Sequence, residues 1–122
     1  MRELKKGSLG MLVLSLLREQ PGYGYELCER LRERTDGTLT FEDGAIYPLL
    51  HEYERQGLIE GYWETKSDAE ATERKGPRRR YYRVTPHGVT ALRENVAEWH
   101  TFSEAVARLL GDPQPRPATE EH

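Results

Sequence analysis

The sequence predicts a mainly α-helical chain that carries a two-stranded β-ribbon and ends in one long helix. Apolar residues recur with helical spacing in three stretches before residue 58, each closed by glycine or proline. Two strand-like stretches then flank a polar segment, and a seven-residue apolar repeat follows Thr85-Pro86. With 122 residues, 36% hydrophobic and 32% charged, the chain has room for one domain and an appended element. Its core is thin for that length, so a second copy of the chain is expected to complete it.

Ser8 is the expected N-cap of the first helix. Leu9, Leu12, Val13, Leu16 and Leu17 form its stripe until Pro21 and Gly22 stop it. Leu14 lies off that stripe, which marks a helix covered by two neighbours. The second helix is expected from Tyr23 to Arg34, with Tyr23, Leu27 and Leu31 on its apolar face. Asp43 is the expected cap of a third helix from Gly44 to Gln56, closed by Gly57.

That third helix divides into two faces. Ile46, Leu49, Leu50 and Tyr53 form an inward stripe, whereas Gly44, Tyr47, Pro48, His51 and Arg55 face out with no acidic residue among them. A proline so near the first turn removes the bond to the Gly44 carbonyl and crowds it, so Gly44 is expected to relieve strain.

Leu58 to Glu64 and Arg79 to Thr85 read as a hairpin with a long mobile tip, the Val84 face turned to the core. Thr85 supplies a capping hydroxyl and Pro86 the first residue of the last helix. From there Val89, Leu92, Val96, Trp99, Ser103, Val106 and Leu110 follow alternating steps of three and four. Such a seam on a helix extending from a small domain calls for a partner. Gly111 to His122, with three prolines and no apolar cluster, is expected to be a disordered tail.

Helix, helix, helix, two-stranded ribbon and long helix is the order of a winged helix-turn-helix with a C-terminal dimerisation helix. The expected division is residues 1–85 for the winged unit, 86–110 for the dimerisation helix and 111–122 for the tail. A helix with a clean outward face fits a DNA major groove, and a ribbon can set cations along the adjacent backbone.

The charge distribution agrees. The net charge is -3, yet Arg74 to Arg83 hold six basic residues and no acidic one, while the other 112 residues hold 12 basic and 21 acidic. A phosphate backbone responds to the local field rather than to the sum. A solvated hairpin is the plainer account of the same charges.

Other function classes find little support. His51, His87, His100 and His122 are scattered without metal-ligand spacing, Gly22-Tyr23-Gly24 lacks the third glycine of a dinucleotide loop, and no nucleophile motif is present. No enzyme, cofactor or metal is expected. Cys28 is the one cysteine, a small helix filler or, less simply, a redox sensor. No apolar run reaches the roughly 18 residues of a membrane span, so a cytoplasmic protein is expected.

Several runs together resemble the PadR family of transcriptional regulators, in the subfamily with a single C-terminal helix. They are Leu9-Gly10 through Leu17, Gly22-Tyr23-Gly24-Tyr25-Glu26-Leu27, Gly44-Ala45-Ile46-Tyr47-Pro48-Leu49-Leu50, Glu54 through Ile59, and Arg80-Tyr81-Tyr82-Arg83-Val84-Thr85. The resemblance implies a homodimer that binds a palindromic operator in double-stranded DNA and represses transcription, with a small-molecule effector or stress signal releasing it. Carried onto this sequence, it places Gly44, Tyr47, Pro48 and His51 at the groove, Tyr23 near a phosphate, and Lys75 and Arg78 on the wing. The chain departs from the family in having Ala45 and Ile46 where threonine and leucine are common, and in the acidic Asp68, Glu70 and Glu73 of its wing.

At the last helix, Leu92, Val96, Trp99, Val106 and Leu110 are the expected dimer contacts. Trp99 has a second reading as an aromatic wall for a flat hydrophobic inducer, in a pocket completed by Met11, Val96 and Phe102. A winged-helix module that binds only protein partners is the alternative to DNA binding, because its fold is identical.

Overall fold

The computed structural model describes residues 2–42 and 44–111, with side chains from residue 8. Its elements in chain order are α1 (Arg2–Glu19), β1 (Gly22–Tyr23), α2 (Gly24–Arg34), α3 (Ile46–Arg55), β2 (Ile59–Trp63), α4 (Lys66–Ala71), β3 (Arg80–Val84) and α5 (Pro86–Leu110). The anticipated winged helix-turn-helix is present, with α2 and α3 as the helical pair and β2–β3 as the wing. The expected cap Asp43 and the expected tail beyond Gly111 lie outside the described residues.

Four helical elements bury one core. Val13 and Leu14 of α1, Leu27 of α2 and Leu50 of α3 are inaccessible to solvent, and Leu92 of α5 closes the same cluster. Each fully buried leucine or valine stabilises the fold by roughly 1.5–3 kcal/mol relative to an exposed one. Leu14, off the α1 stripe, is buried because α1 packs against α2 on one side and against β3 and α5 on the other.

The structure corrects several boundaries. α1 begins at Arg2, so Ser8 is an interior residue of the helix and not its cap. The good helix formers Glu3, Lys5 and Lys6 carry the helix past it. α3 begins at Ile46 after Ala45, with no side-chain cap, so Pro48 is its third residue. The first turn of any helix has no intrahelical partner for its N–H groups, and the proline removes nothing there. Gly44 serves the preceding turn, at φ 79°.

The sheet has three strands and not two. β3 is central, with β1 and β2 antiparallel on either side, and Tyr23, Tyr81 and Tyr62 lie in register across it. One face, with Ile59, Tyr82 and Val84, looks toward the helices, and Tyr82 and Ile59 are buried there. The other face carries the three tyrosines, Glu60 and Arg83.

The tip of the wing contains a short helix. Residues 66–71 form α4, capped reciprocally by Thr65, whose hydroxyl accepts from the Asp68 N–H, and by Asp68, whose carboxylate accepts from the Thr65 N–H. At the start of α5 the Thr85 hydroxyl caps the helix as expected, accepting from the Gly88 N–H, and it also donates toward the carbonyls of Gly57 and Leu58. That knot draws the first turns of α5 into the core. Leu92, expected at the dimer seam, is 3% exposed and packed by its own chain.

Candidate nucleic-acid interface

The outward face of α3 is free as its sequence requires. Tyr47 is 51% exposed, and Pro48, His51 and Arg55 are also exposed. Tyr47 is held rather than loose: its ring lies over Gly24 at the start of α2, where an added Cβ would come within 2.7 Å of it. Arg55 is turned back along the helix to Glu52, with its Nε 3.1 Å from the carboxylate. Tyr47, Pro48 and His51 therefore form the uncommitted part of the stripe.

Glu54, at the last turn of α3, joins that helix to the wing. Its Oε2 accepts from the Gly61 N–H at 3.2 Å and from Arg80 Nη2 at 2.8 Å. The approach is close enough that a Cβ on Gly61 would meet both Arg80 and Glu54 within 2.8 Å. The guanidinium of Arg80 also lies 5.2 Å from the centre of the Trp63 ring. Tyr82 sits in the same junction, and burial, followed by the negative charge of Glu54, raises its phenol above the usual range.

The basic stretch is mostly committed internally. Arg74 is ion-paired with Glu64 and donates from Nη2 to the Pro77 carbonyl at 2.8 Å. Glu64, 3% exposed, is the buried charged residue among those described, and it also accepts from the Arg79 N–H at 3.1 Å. The Arg79 side chain stacks 4.3 Å from the Tyr23 ring centre. Arg83 lies 4.6 Å from that of Tyr62 and bonds Glu60 at 2.5 Å. Of the six cations, Lys75 and Arg78 alone have no such partner among the described residues, and both are exposed.

Tyr23, expected near a phosphate, packs edge-on against Tyr81 at 5.2 Å, and Tyr81 stacks on Tyr62 at 5.8 Å. The aromatic ladder across the sheet is thus closed at both ends by arginine. On α5, Val96, Trp99, Phe102 and Leu110 are exposed and Val106 is half-buried. Met11 is half-buried against the core.

The junction of Glu54, Gly57, Ile59 and the wing strands lies inside a stretch with known counterparts. Residues 13–94 match the transcriptional regulator PadR-like family. The chain belongs to that family. This regulator resembles a PadR family transcriptional regulator from Eggerthella lenta, at 38% identity over 89% of this chain and 87% of that one, with a TM-score of 0.71. A PadR-like transcriptional regulator from Bacillus cereus is 32% identical, over 90% of this chain and 98% of that one, with a TM-score of 0.70. Among curated proteins, the transcriptional regulator YqjI of Escherichia coli is 28% identical over 86% of this chain, which spans 46% of its length.

The family is one of transcriptional regulators, and the enzyme reading falls with it. Among the described residues no helix is long and apolar enough to cross a membrane. Of the DNA-contact residues expected from the sequence, Gly44, Tyr47, Pro48, His51, Lys75 and Arg78 are exposed, whereas Tyr23 is half-buried and engaged by Tyr81 and Arg79. Sequence reasoning missed Glu54, Arg80, Glu64 and Trp63, which build the junction beneath them. Their charged partners lie 10 to 26 residues away in the chain, and a local charge pattern does not show that.

Proposed function

We propose that this regulator binds a palindromic operator as a homodimer and represses transcription. Residues 1–85 act as the DNA-binding unit and residues 86–110 as the dimerisation helix. The observation that carries the reading is the pairing of one exposed, uncommitted helix face, Tyr47, Pro48 and His51, with a wing on which Lys75 and Arg78 are free to meet phosphate. The helix reads the major groove and the wing cations hold the adjacent backbone. Gly44 admits close approach of the backbone at the turn before α3.

The exposed apolar face of α5 supports the dimer, through Val96, Trp99, Val106 and Leu110. Two third helices then lie about 34 Å apart, one DNA turn. Trp99 and Phe102, exposed on the same helix, suit a flat hydrophobic effector held between two copies of α5, which releases the operator. Repression and release are what the family resemblance supports.

Selection of duplexes from a randomised pool by the wild-type protein, followed by gel shift, tests the reading. Enrichment of a palindrome is the expected result, and repression of a reporter carrying it completes the test. Replacing both Lys75 and Arg78 with alanine is expected to lower the slope of log affinity against log salt by about 3 to 4 for a dimer, without changing the selected sequence. A chain that enriches no sequence, or an unchanged slope, overturns the reading.

A further inference from the structure

Among the described residues, the large apolar side chains left exposed are Val96, Trp99, Phe102, Leu109 and Leu110 on α5, Tyr25 on α2, Leu39 in the loop before α3, Tyr47 on α3, and Trp63. Trp63 is the one of these on the sheet, 58% accessible at the last position of β2. A single exposed aromatic side chain is ordinary on a protein surface. The position of this one is not.

Trp63 is paired in register with Arg80 and points to the same sheet face as Gly61 and the buried Tyr82, the face that looks toward the helices. It lies one step beyond the cover those helices provide. Two contacts join it to α3. The Arg80 guanidinium stands 5.2 Å from the indole centre and is bonded to Glu54 of α3 at 2.8 Å.

We propose that Trp63 is a DNA-contacting residue that packs its indole against a deoxyribose of the duplex, between the groove entered by α3 and the backbone held by the wing. The inference rests on the DNA-binding reading above and adds to it an apolar contact that neither the helix nor the basic wing supplies. Duplex DNA is the occupant that the surroundings favour. The acidic groups of this junction, Glu54 and Glu64, are paired with Arg80 and Arg74, while Lys75 and Arg78 on the same wing have no internal partner among the described residues. The C–H surface of a sugar is the apolar part of a backbone whose phosphates those cations attract.

Hydroxyl-radical footprinting read by mass spectrometry separates Trp63 from Trp99 in the wild-type chain. The probe is the duplex recovered by that chain from a randomised pool. Trp63 is expected to be oxidised readily without DNA and to be protected at saturation. Trp63→Ala is expected to weaken binding about tenfold, the size of one well-packed aromatic contact, with the salt slope unchanged. Trp63→Phe retains most of the affinity.

Equal oxidation of Trp63 with and without DNA overturns the inference whatever the variants do, and it remains decisive if Trp63→Ala folds poorly. Protection of Tyr47 with Trp63 unprotected overturns this inference alone. Failure of the wild-type chain to recover any duplex overturns the DNA-binding reading itself, and the inference with it.

Discussion

Glu54 of α3 and Arg80 of β3 meet at 2.8 Å across the only path by which the helix and the wing touch through charged side chains among the described residues. The same carboxylate oxygen holds the Gly61 N–H, so one group fixes the helix against both strands of the ribbon. Both side chains are about one-third exposed, and solvent screening limits their pairwise worth. Replacing Glu54 with alanine is expected to cost about 1 kcal/mol in urea unfolding, while DNA affinity falls by more than that stability loss explains. Equal binding by the variant and the wild type contradicts the role of the junction.

Glu64 and Arg74 close the head of the wing. Taking away one member of a buried pair leaves the other without compensation, at about 3 kcal/mol. Glu64→Ala is therefore expected to accelerate hydrogen exchange throughout residues 64–79. Glu64→Gln, which still accepts from the Arg79 N–H, is expected to do less harm. Identical exchange for the two variants speaks against the ion pair as the closing element.

Gly88 faces the backbone carbonyl of Leu58, with the Val84 side chain 2.7 Å from where a Cβ would stand. A backbone oxygen in a knotted turn cannot move aside as a side-chain end can. Gly88→Ala is expected to lower stability by about 2–3 kcal/mol, although alanine is the better helix former. A denaturation midpoint at or above that of the wild type refutes this packing.

Burial raises the phenol of Tyr53, which lies over Gly10, and burial raises that of Tyr82 as well. A phenol whose pKa is higher in the folded state favours folding fully below its unfolded value, near 10, and that contribution disappears as pH climbs through the folded value. Stability is expected to decline above about pH 10, and a Tyr53→Phe chain is expected to decline less steeply. Parallel urea midpoints for both chains between about pH 9 and 11 refute the assignment to Tyr53.

The exposed face of α5 is the proposed dimer seam. Trp99→Glu places a charge where two such faces meet, which costs several kcal/mol if the site is desolvated. Sedimentation velocity is expected to show a dimer for the wild type and a monomer for the variant. A wild-type monomer at micromolar concentration removes the seam.

Most of the architecture was legible because it rests on local periodicity. The two faces of α3 and the Thr85-Pro86 start of α5 were readable from spacing and capping chemistry alone. β1 has two residues, too short for any alternation to register. α4 has no apolar stripe, and its one signal was Thr65 three places before Asp68. Leu92 fits a heptad seam as well as a core, and only the knot at Thr85 shows that the first turns of α5 lie inside the domain. The basic stretch looked like a single cationic surface because the carboxylates that engage it stand elsewhere in the chain, at Glu54, Glu60 and Glu64.

The short strand Gly22–Tyr23 gives the sheet a mechanical consequence. By pairing with Tyr82 and Tyr81 it ties the chain that leaves α1 to the central strand of the wing. Together with the direct packing of α1 on β3, that pairing makes the placement of the ribbon depend on the placement of the first helix.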